Sequence, residues 1–324
     1  MAASVTMFEQ LPRNPGTALK LALVEDQRAN LSAIERRAAS LPARRSLKKE
    51  WQAAWLLRAI GLIDLTTLSG DDTPERVRRL CAKARNALRE DLCIALGLSE
   101  PVHTGAVCVY PTMVATAVKA LASTGIPVAS VATGFPAGLM PLKLRLEEIR
   151  YCVGEGAAEI DIVVNRALIF AQDWPALYDE VRQMRDACGD AHMKTILATG
   201  DLKTLRNVAR ASMVCMMAGA DFIKTSTGKE PVNATLPVGL VMTRAIRAYE
   251  EETGFMVGFK PAGGISSAKD ALVWMAMMKE ELGRRWLEPD LFRFGASSLL
   301  GDIERQIEHF VTGRYSAAMR HAVA

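Results

Sequence analysis

No uninterrupted apolar run in this sequence approaches the ~18–20 residues that a membrane-spanning helix requires, so a membrane partner is not expected. The N-terminus also lacks a secretory pattern, because Glu9 and Pro12 interrupt it before a compact apolar stretch develops. Glu25, Asp26 and Glu35 arrive too early for an arginine-rich transit peptide, and a cytoplasmic protein is expected. Cys81, Cys93, Cys108, Cys152, Cys188 and Cys215 form no CxxC pair; in such a compartment they read as small, reduced, mostly buried side chains. His103, His192, His309 and His321 are too scattered for a local zinc motif, and no HExxH occurs. No metal and no cofactor are expected.

Half of the 324 residues are hydrophobic and 23% are charged, the balance of an ordinary globular protein and too apolar for a disordered one. Lys and Arg total 40 against 36 acids. The first fifty residues hold nine basic and five acidic side chains, so the whole excess of four lies there. Arg36, Arg37, Arg44, Arg45, Lys48 and Lys49 carry most of it. No interleaved aromatics or recognition motif accompany them, so they read as a solvated helix face rather than a nucleic-acid site.

From about residue 58 onward, short apolar runs alternate with amphipathic stretches. The expected strands are 61–66, 106–110, 128–132, 159–165, 193–199, 221–226, 256–261 and 291–295, with centres roughly 22–45 residues apart, as a strand plus a crossover helix requires. Thr235 precedes Pro237 at one expected helix start, and Ser266–Ser267 opens another that runs to Leu282. Near the end, Leu300, Ile303, Ile307 and Phe310 trace one apolar helix face.

Eight β-then-α units in succession point to an α/β fold, a closed (β/α)8 TIM barrel. The rival is a doubly wound open sheet, which two motif checks weaken. Gly154-Glu155-Gly156 begins like a dinucleotide fingerprint, but Glu159 stands where a small residue is needed. Gly228-Lys229 resembles the end of a phosphate loop, but Ile223 replaces the earlier glycine and Glu230 the Ser/Thr. Residues 1–57 read as a helical extension in which Trp51, Trp55 and Leu56 pack against the barrel. Residues 58–312 are the barrel, and 313–324 a tail.

Alternate residues of a barrel strand face inward. That parity sets Asp64, Asp161, Lys194, Lys224 and Lys260 opposite their aliphatic neighbours, placing three lysines and two aspartates in one interior. Buried charges are costly unless paired, so such a set is more than packing, although each lysine alone could simply end its strand at the surface. A free lysine of pKa about 10.4 is almost entirely protonated at neutral pH. A neighbouring ammonium and desolvation can bring it towards ~7–8, exposing a nucleophile that forms a Schiff base with a carbonyl. Lys224 beside Lys260 has that logic, with Asp161 placed to move protons. The glycines and serines of 261–266 and 294–298, after strands seven and eight, suit a phosphate, which barrels often bind there.

Five segments carry a resemblance. Ile63-Asp64-Leu65-Thr66-Thr67-Leu68, Cys108-Val109-Tyr110-Pro111, Phe222-Ile223-Lys224-Thr225-Ser226-Thr227-Gly228-Lys229, Gly258-Phe259-Lys260-Pro261-Ala262-Gly263-Gly264 and Phe294-Gly295-Ala296-Ser297-Ser298-Leu299 together resemble the deoxyribose-phosphate aldolases over residues 58–310. Residues 40–58 look like the longer, eukaryote-type form. The resemblance implies a metal-free class I aldolase acting on a phosphorylated sugar and an aldehyde, reversibly cleaving 2-deoxy-D-ribose 5-phosphate to acetaldehyde and D-glyceraldehyde 3-phosphate in deoxynucleoside breakdown. It implies Lys224 as the Schiff-base lysine, Lys260 as the lysine that perturbs it and Asp161 as the proton-transfer acid. It implies substrate contacts at Asp64, Thr66, Cys108, Lys194, Thr227, Gly263, Gly264, Gly295, Ser297 and Ser298, and leaves a homo-oligomer open. Two positions depart from the family: Ser266 stands where many members carry arginine, and Tyr315 lies well before the end of the chain, where shorter members end in a tyrosine. The alternatives are another lysine-dependent lyase or transaldolase-like enzyme on a different phosphorylated aldehyde, and a non-catalytic scaffold that binds a partner through its basic N-terminal segment.

Overall fold

A computed structural model describes residues 11–44, 47–317 and 320–322 of the chain. Eight strands, β1 (Ile63–Thr66), β2 (Ala106–Val109), β3 (Val128–Ala132), β4 (Glu159–Val163), β5 (His192–Ile196), β6 (Phe222–Lys224), β7 (Gly258–Lys260) and β8 (Phe294–Ala296), form one parallel sheet in the order 7-6-5-4-3-2-1-8. The seam between β7 and β8 is bridged as well: Phe259 pairs with Phe292 and Ala262 with Gly295, and the Gly295 amide donates to Pro261 O at 2.9 Å. The sheet is therefore a barrel, as the eight β-then-α units imply. All eight expected strands are present, most of them shorter than the apolar runs, which continue into the loops at one end of the strand or the other.

Side-chain alternation divides the strands into two faces. Ile63, Leu65, Ile160, Ile162, Ile223 and Phe259 point outward into one continuous apolar cluster with the surrounding helices. Their alternating neighbours turn inward. The helices begin where short polar residues can cap them: Thr235 accepts from Val238 N and opens Leu236–Thr253, and Ser267 accepts from Asp270 N and opens Ala268–Leu282. Gly154-Glu155-Gly156 ends the helix Leu142–Gly154 and turns into β4, so its glycines serve a turn.

The N-terminal segment has no helix or strand over residues 11–20 and then forms helices Leu21–Glu25, Leu31–Ser40 and Lys49–Gly61. Arg37 reaches Glu280 at 2.7 Å and Glu281 at 3.3 Å, and Arg44 also pairs with Glu280, so part of the basic excess docks this segment on the barrel. Arg45 lies outside the described residues. In Lys49–Gly61, Ala53, Leu56, Ala59 and Ile60 form the buried face and Trp55 packs beside it under the Lys279 ammonium. Trp51 departs from expectation: it falls on the far side of the helix and is 71% exposed. Phe310 likewise sits at the margin of its apolar face, 40% exposed, while Leu300, Ile303 and Ile307 are buried.

Candidate active site

Among the described residues, the barrel interior contains seven charged side chains, all buried: Asp64, Glu159, Asp161, Lys194, Lys224, Lys260 and Arg293. Strand pairing brings them together. Asp161 is level with Lys194 across β4 and β5, and Lys224 is level with Lys260 across β6 and β7. Asp161 lies at the centre. Its Oδ2 accepts from Lys224 Nζ at 2.7 Å and from Lys260 Nζ at 2.8 Å, and its Oδ1 accepts from Lys194 Nζ at 3.1 Å. Lys260 also donates to Asp64, and Lys194 to Glu159. Beneath them, Arg293 bridges Asp64 at 2.6 Å and Glu159 at 3.0 Å.

These partners separate three amines of the same chemistry. Burial opposes the charge on Lys260, but Asp161 and Asp64 outweigh it and hold its pKa above the ordinary value. Burial opposes the charge on Lys194 too, and Asp161, Glu159 and Asp64 again raise it. At Lys224, burial and the Lys260 ammonium together outweigh the single carboxylate of Asp161, and the pKa falls. Asp161, although burial favours its neutral form, is held well below the usual carboxylate range by Lys194, Lys224 and Lys260. Burial raises the Cys108 thiol, which favours its protonated form.

Above this network a cavity of about 390 Å³ opens at the C-terminal ends of the strands. Lys224 lies on its wall together with Thr66, Thr227, Gly263, Gly264, Gly295, Ser297 and Ser298. Gly263 and Gly264 have φ of +78° and +81°, a conformation costly for any residue with a Cβ, and it turns the chain sharply beside the cavity. A Cβ on Gly295 would lie 2.7 Å from that of Ala262, so glycine there permits the β7–β8 seam to close. Ser298 caps the helix Leu299–Thr312 by position, yet its side chain makes no capping hydrogen bond. The helix N-terminus and Ser298 thus lie at this end of the cavity, where unpaired amides and a hydroxyl suit a negatively charged group. Asp64, Asp161, Cys108, Lys194 and Lys260 lie deeper: none borders the cavity, and each is 0% exposed.

Among the described residues, no group of three or more His, Cys, Asp or Glu side chains is arranged to hold a metal ion. The three interior carboxylates are instead engaged by ammonium and guanidinium groups.

Three residues extend the sequence-based set. Glu159 and Arg293 complete the charge network, and parity contained the signal: Glu159 is two residues before Asp161, and Arg293 two before Gly295. Lys229 adds a cation to the cavity rim. Its loop is braced by Glu230, whose carboxylate accepts from the Thr227 and Gly228 amides and, at 2.8 Å, from the Thr227 hydroxyl. Ser266 borders the same cavity. Tyr315 is 87% exposed, pairs edge-on with His309, and does not border the cavity.

The family model of the DeoC/LacD aldolases matches residues 58–303. Deoxyribose-phosphate aldolase from Homo sapiens is 62% identical over 307 residues, covering 94% of this chain and 96% of its own. The Mus musculus protein of the same name is 63% identical over 305 residues, covering 93% and 96%. Among solved structures, the tetrameric deoxyribose phosphate aldolase from Aeropyrum pernix aligns with a TM-score of 0.59 at 22% identity, over 81% of this chain and 98% of that one, a likeness of fold.

Proposed function

This chain belongs to the DeoC/LacD family of aldolases, and from that premise we propose that it reversibly cleaves 2-deoxy-D-ribose 5-phosphate to acetaldehyde and D-glyceraldehyde 3-phosphate, in deoxynucleoside catabolism. One observation carries the mechanism: of the three interior lysines, Lys224 alone combines a lowered pKa with a place on the cavity wall.

In this reading the neutral Lys224 amine attacks C1 of the open-chain sugar, and the resulting carbinolamine loses water to give a protonated imine. The imine draws the electron pair of the C2–C3 bond as that bond breaks, while the C3 hydroxyl loses its proton. D-Glyceraldehyde 3-phosphate leaves, and the remaining enamine takes a proton at C2 before hydrolysis releases acetaldehyde and restores the amine. Asp161 Oδ2, between the Lys224 and Lys260 nitrogens, supports the reading that these three residues exchange the protons. Asp64 and Lys194 position Lys260 and Asp161 from below. Ser297, Ser298, Gly263, Gly264 and Lys229 supply the amides, hydroxyls and charge for the phosphate, with Thr66, Thr227 and Gly295 shaping the wall. Cys108 packs against Ala129 and Val131 inside the barrel, and its proposed part is to shape the apolar side of the pocket.

A cytoplasmic setting suits six cysteines that are all free and buried. The tetrameric relative favours a homo-oligomer. No described helix is long and apolar enough to cross a membrane.

Borohydride reduction in the presence of acetaldehyde, followed by peptide mass spectrometry, tests the mechanism. An ethyl adduct on the peptide containing Lys224 is expected, absent from a folded Lys224→Ala variant. No adduct on any lysine of a folded, active sample would remove the Schiff-base route.

A further inference from the structure

A second cavity, of about 670 Å³, lies beside the loop that follows β5 and shares no lining residue with the catalytic one. Lys203, Arg206 and Arg210 border it, and no Asp or Glu does. Among the described residues, Lys203 and Arg206 have no ion-pair partner. Arg210 makes only 3.4 Å contacts, to Gln172 Oε1 and Glu25 O. Asp201, close by in sequence, is taken by Arg166 at 3.3 Å. Three uncompensated cations around one concavity form a site with a standing positive potential.

The cavity is also built for hydrogen bonding. Thr199 borders it, is 5% exposed, and its hydroxyl has no hydrogen-bond partner among the described residues. A buried hydroxyl left unpaired carries a desolvation cost that a ligand oxygen would relieve. The N-terminus of the helix Leu205–Met217 opens onto the same space, with Thr204 and Asn207 on the wall. Leu31, Leu205, Val232 and Val238 supply an apolar side.

We infer that this cavity binds a small organic phosphate, with the phosphoryl group at Lys203, Arg206, Arg210 and Thr199 and the organic body against the apolar wall. The site lies one loop away from the chemistry. Asn233 borders it, donates to Glu230 O at 3.0 Å, and packs so closely on Gly263 that a Cβ there would lie 2.6 Å from its Cγ. Occupancy would therefore rest against the loop that carries Thr227 and Lys229.

Equilibrium dialysis of the full chain against radiolabelled inorganic phosphate at low ionic strength counts the sites. Arg206→Ala/Arg210→Ala is expected to lose one saturable site per chain while aldol cleavage in phosphate-free buffer stays unchanged. Arg206→Ala alone, at an exposed and unpaired position, should weaken that site roughly tenfold should the double variant fold poorly. Thr199→Val should weaken it with no loss of thermal stability. Phenyl phosphate should displace the label at a concentration at least about tenfold lower than sulfate does. Equal stoichiometry and affinity in wild type and the double variant would overturn the site. So would phosphate binding that declines with salt and never saturates. Displacement by phenyl phosphate no better than by sulfate would overturn the organic-phosphate assignment. None of these outcomes bears on the aldolase reading, which the adduct at Lys224 decides separately.

Discussion

Lys260 donates to both Asp161 and Asp64, whereas Lys224 donates to Asp161 alone, and this difference in partners moves two chemically identical amines in opposite directions. It also makes a kinetic prediction. Replacing Lys260 with Met removes the like charge that helps lower Lys224 and leaves Asp161 more strongly engaged with it. Both changes raise the pKa of Lys224, so the limb of the pH–rate profile that rises as the nucleophile loses its proton should move to higher pH. A limb that stays in place, in a variant that folds and retains measurable turnover, would show that Lys260 does not tune the amine. Arg293 lies further from the chemistry but holds two acids. Arg293→Leu leaves Asp64 and Glu159 each short of a buried partner, and urea unfolding should show a loss of about 3–5 kcal/mol.

At the scale of the element, short strands carry the site because each places only one or two residues inward. In β7 these are Gly258 and Lys260, and they depend on each other. A Cβ on Gly258 would lie 2.5 Å from the Phe222 ring, which approaches from β6 two residues before Lys224. Gly258→Ala should therefore cost about 1–3 kcal/mol in chemical denaturation and lower kcat through the shifted lysine strands. The start of β6 is held by the N-terminal segment. The Asn14 amide donates to Asp221 Oδ1 at 2.9 Å, and the Asn14 side chain donates to Met216 O and Ala220 O, also at 2.9 Å. Asn14→Ala takes a donor from Ala220 O and the acceptor from the buried Tyr249 hydroxyl, and should cost about 1–3 kcal/mol, with faster proteolysis near residue 14 as the visible sign. Helix starts at Thr235 and Ser267 were legible because capping is local. Trp51 was misassigned because its side of the helix depends on where the barrel lies, not on the residue's own preference.

For the whole molecule, the interior network sets a window of pH stability. Asp161 and Glu159 have pKa values below their ordinary 3.8 and 4.5: burial pushes them up, and the surrounding cations pull them down further. A carboxyl with a lowered folded pKa stabilises above its unfolded value and loses that contribution as pH falls through the folded one. Lys260 and Lys194 are raised above 10.5, so their contribution is complete below that value and is lost as pH rises through the raised one. Thermal melts should accordingly show stability falling as pH drops below about 4.5 and falling again above about 10.5, with the acid edge blunted in Arg293→Leu. A flat acid edge below pH 3.8 in the wild type would mean that these carboxylates are not paired as described.

The sequence by itself determined the alternation of eight strands and helices, the inward parity of Asp64, Asp161, Lys194, Lys224 and Lys260, and the flexible turns after the last two strands. These are local properties: periodicity, capping and backbone freedom act over a few residues. Only the tertiary structure decided which charges meet. Arg293 on the approach to β8 reaches Glu159 on β4, 134 positions away, because closure of the sheet brings both to one floor. The same closure gives Lys260 two carboxylates and Lys224 one. The electrostatic difference between the two amines depends on distance and burial, and those exist only once the chain has folded.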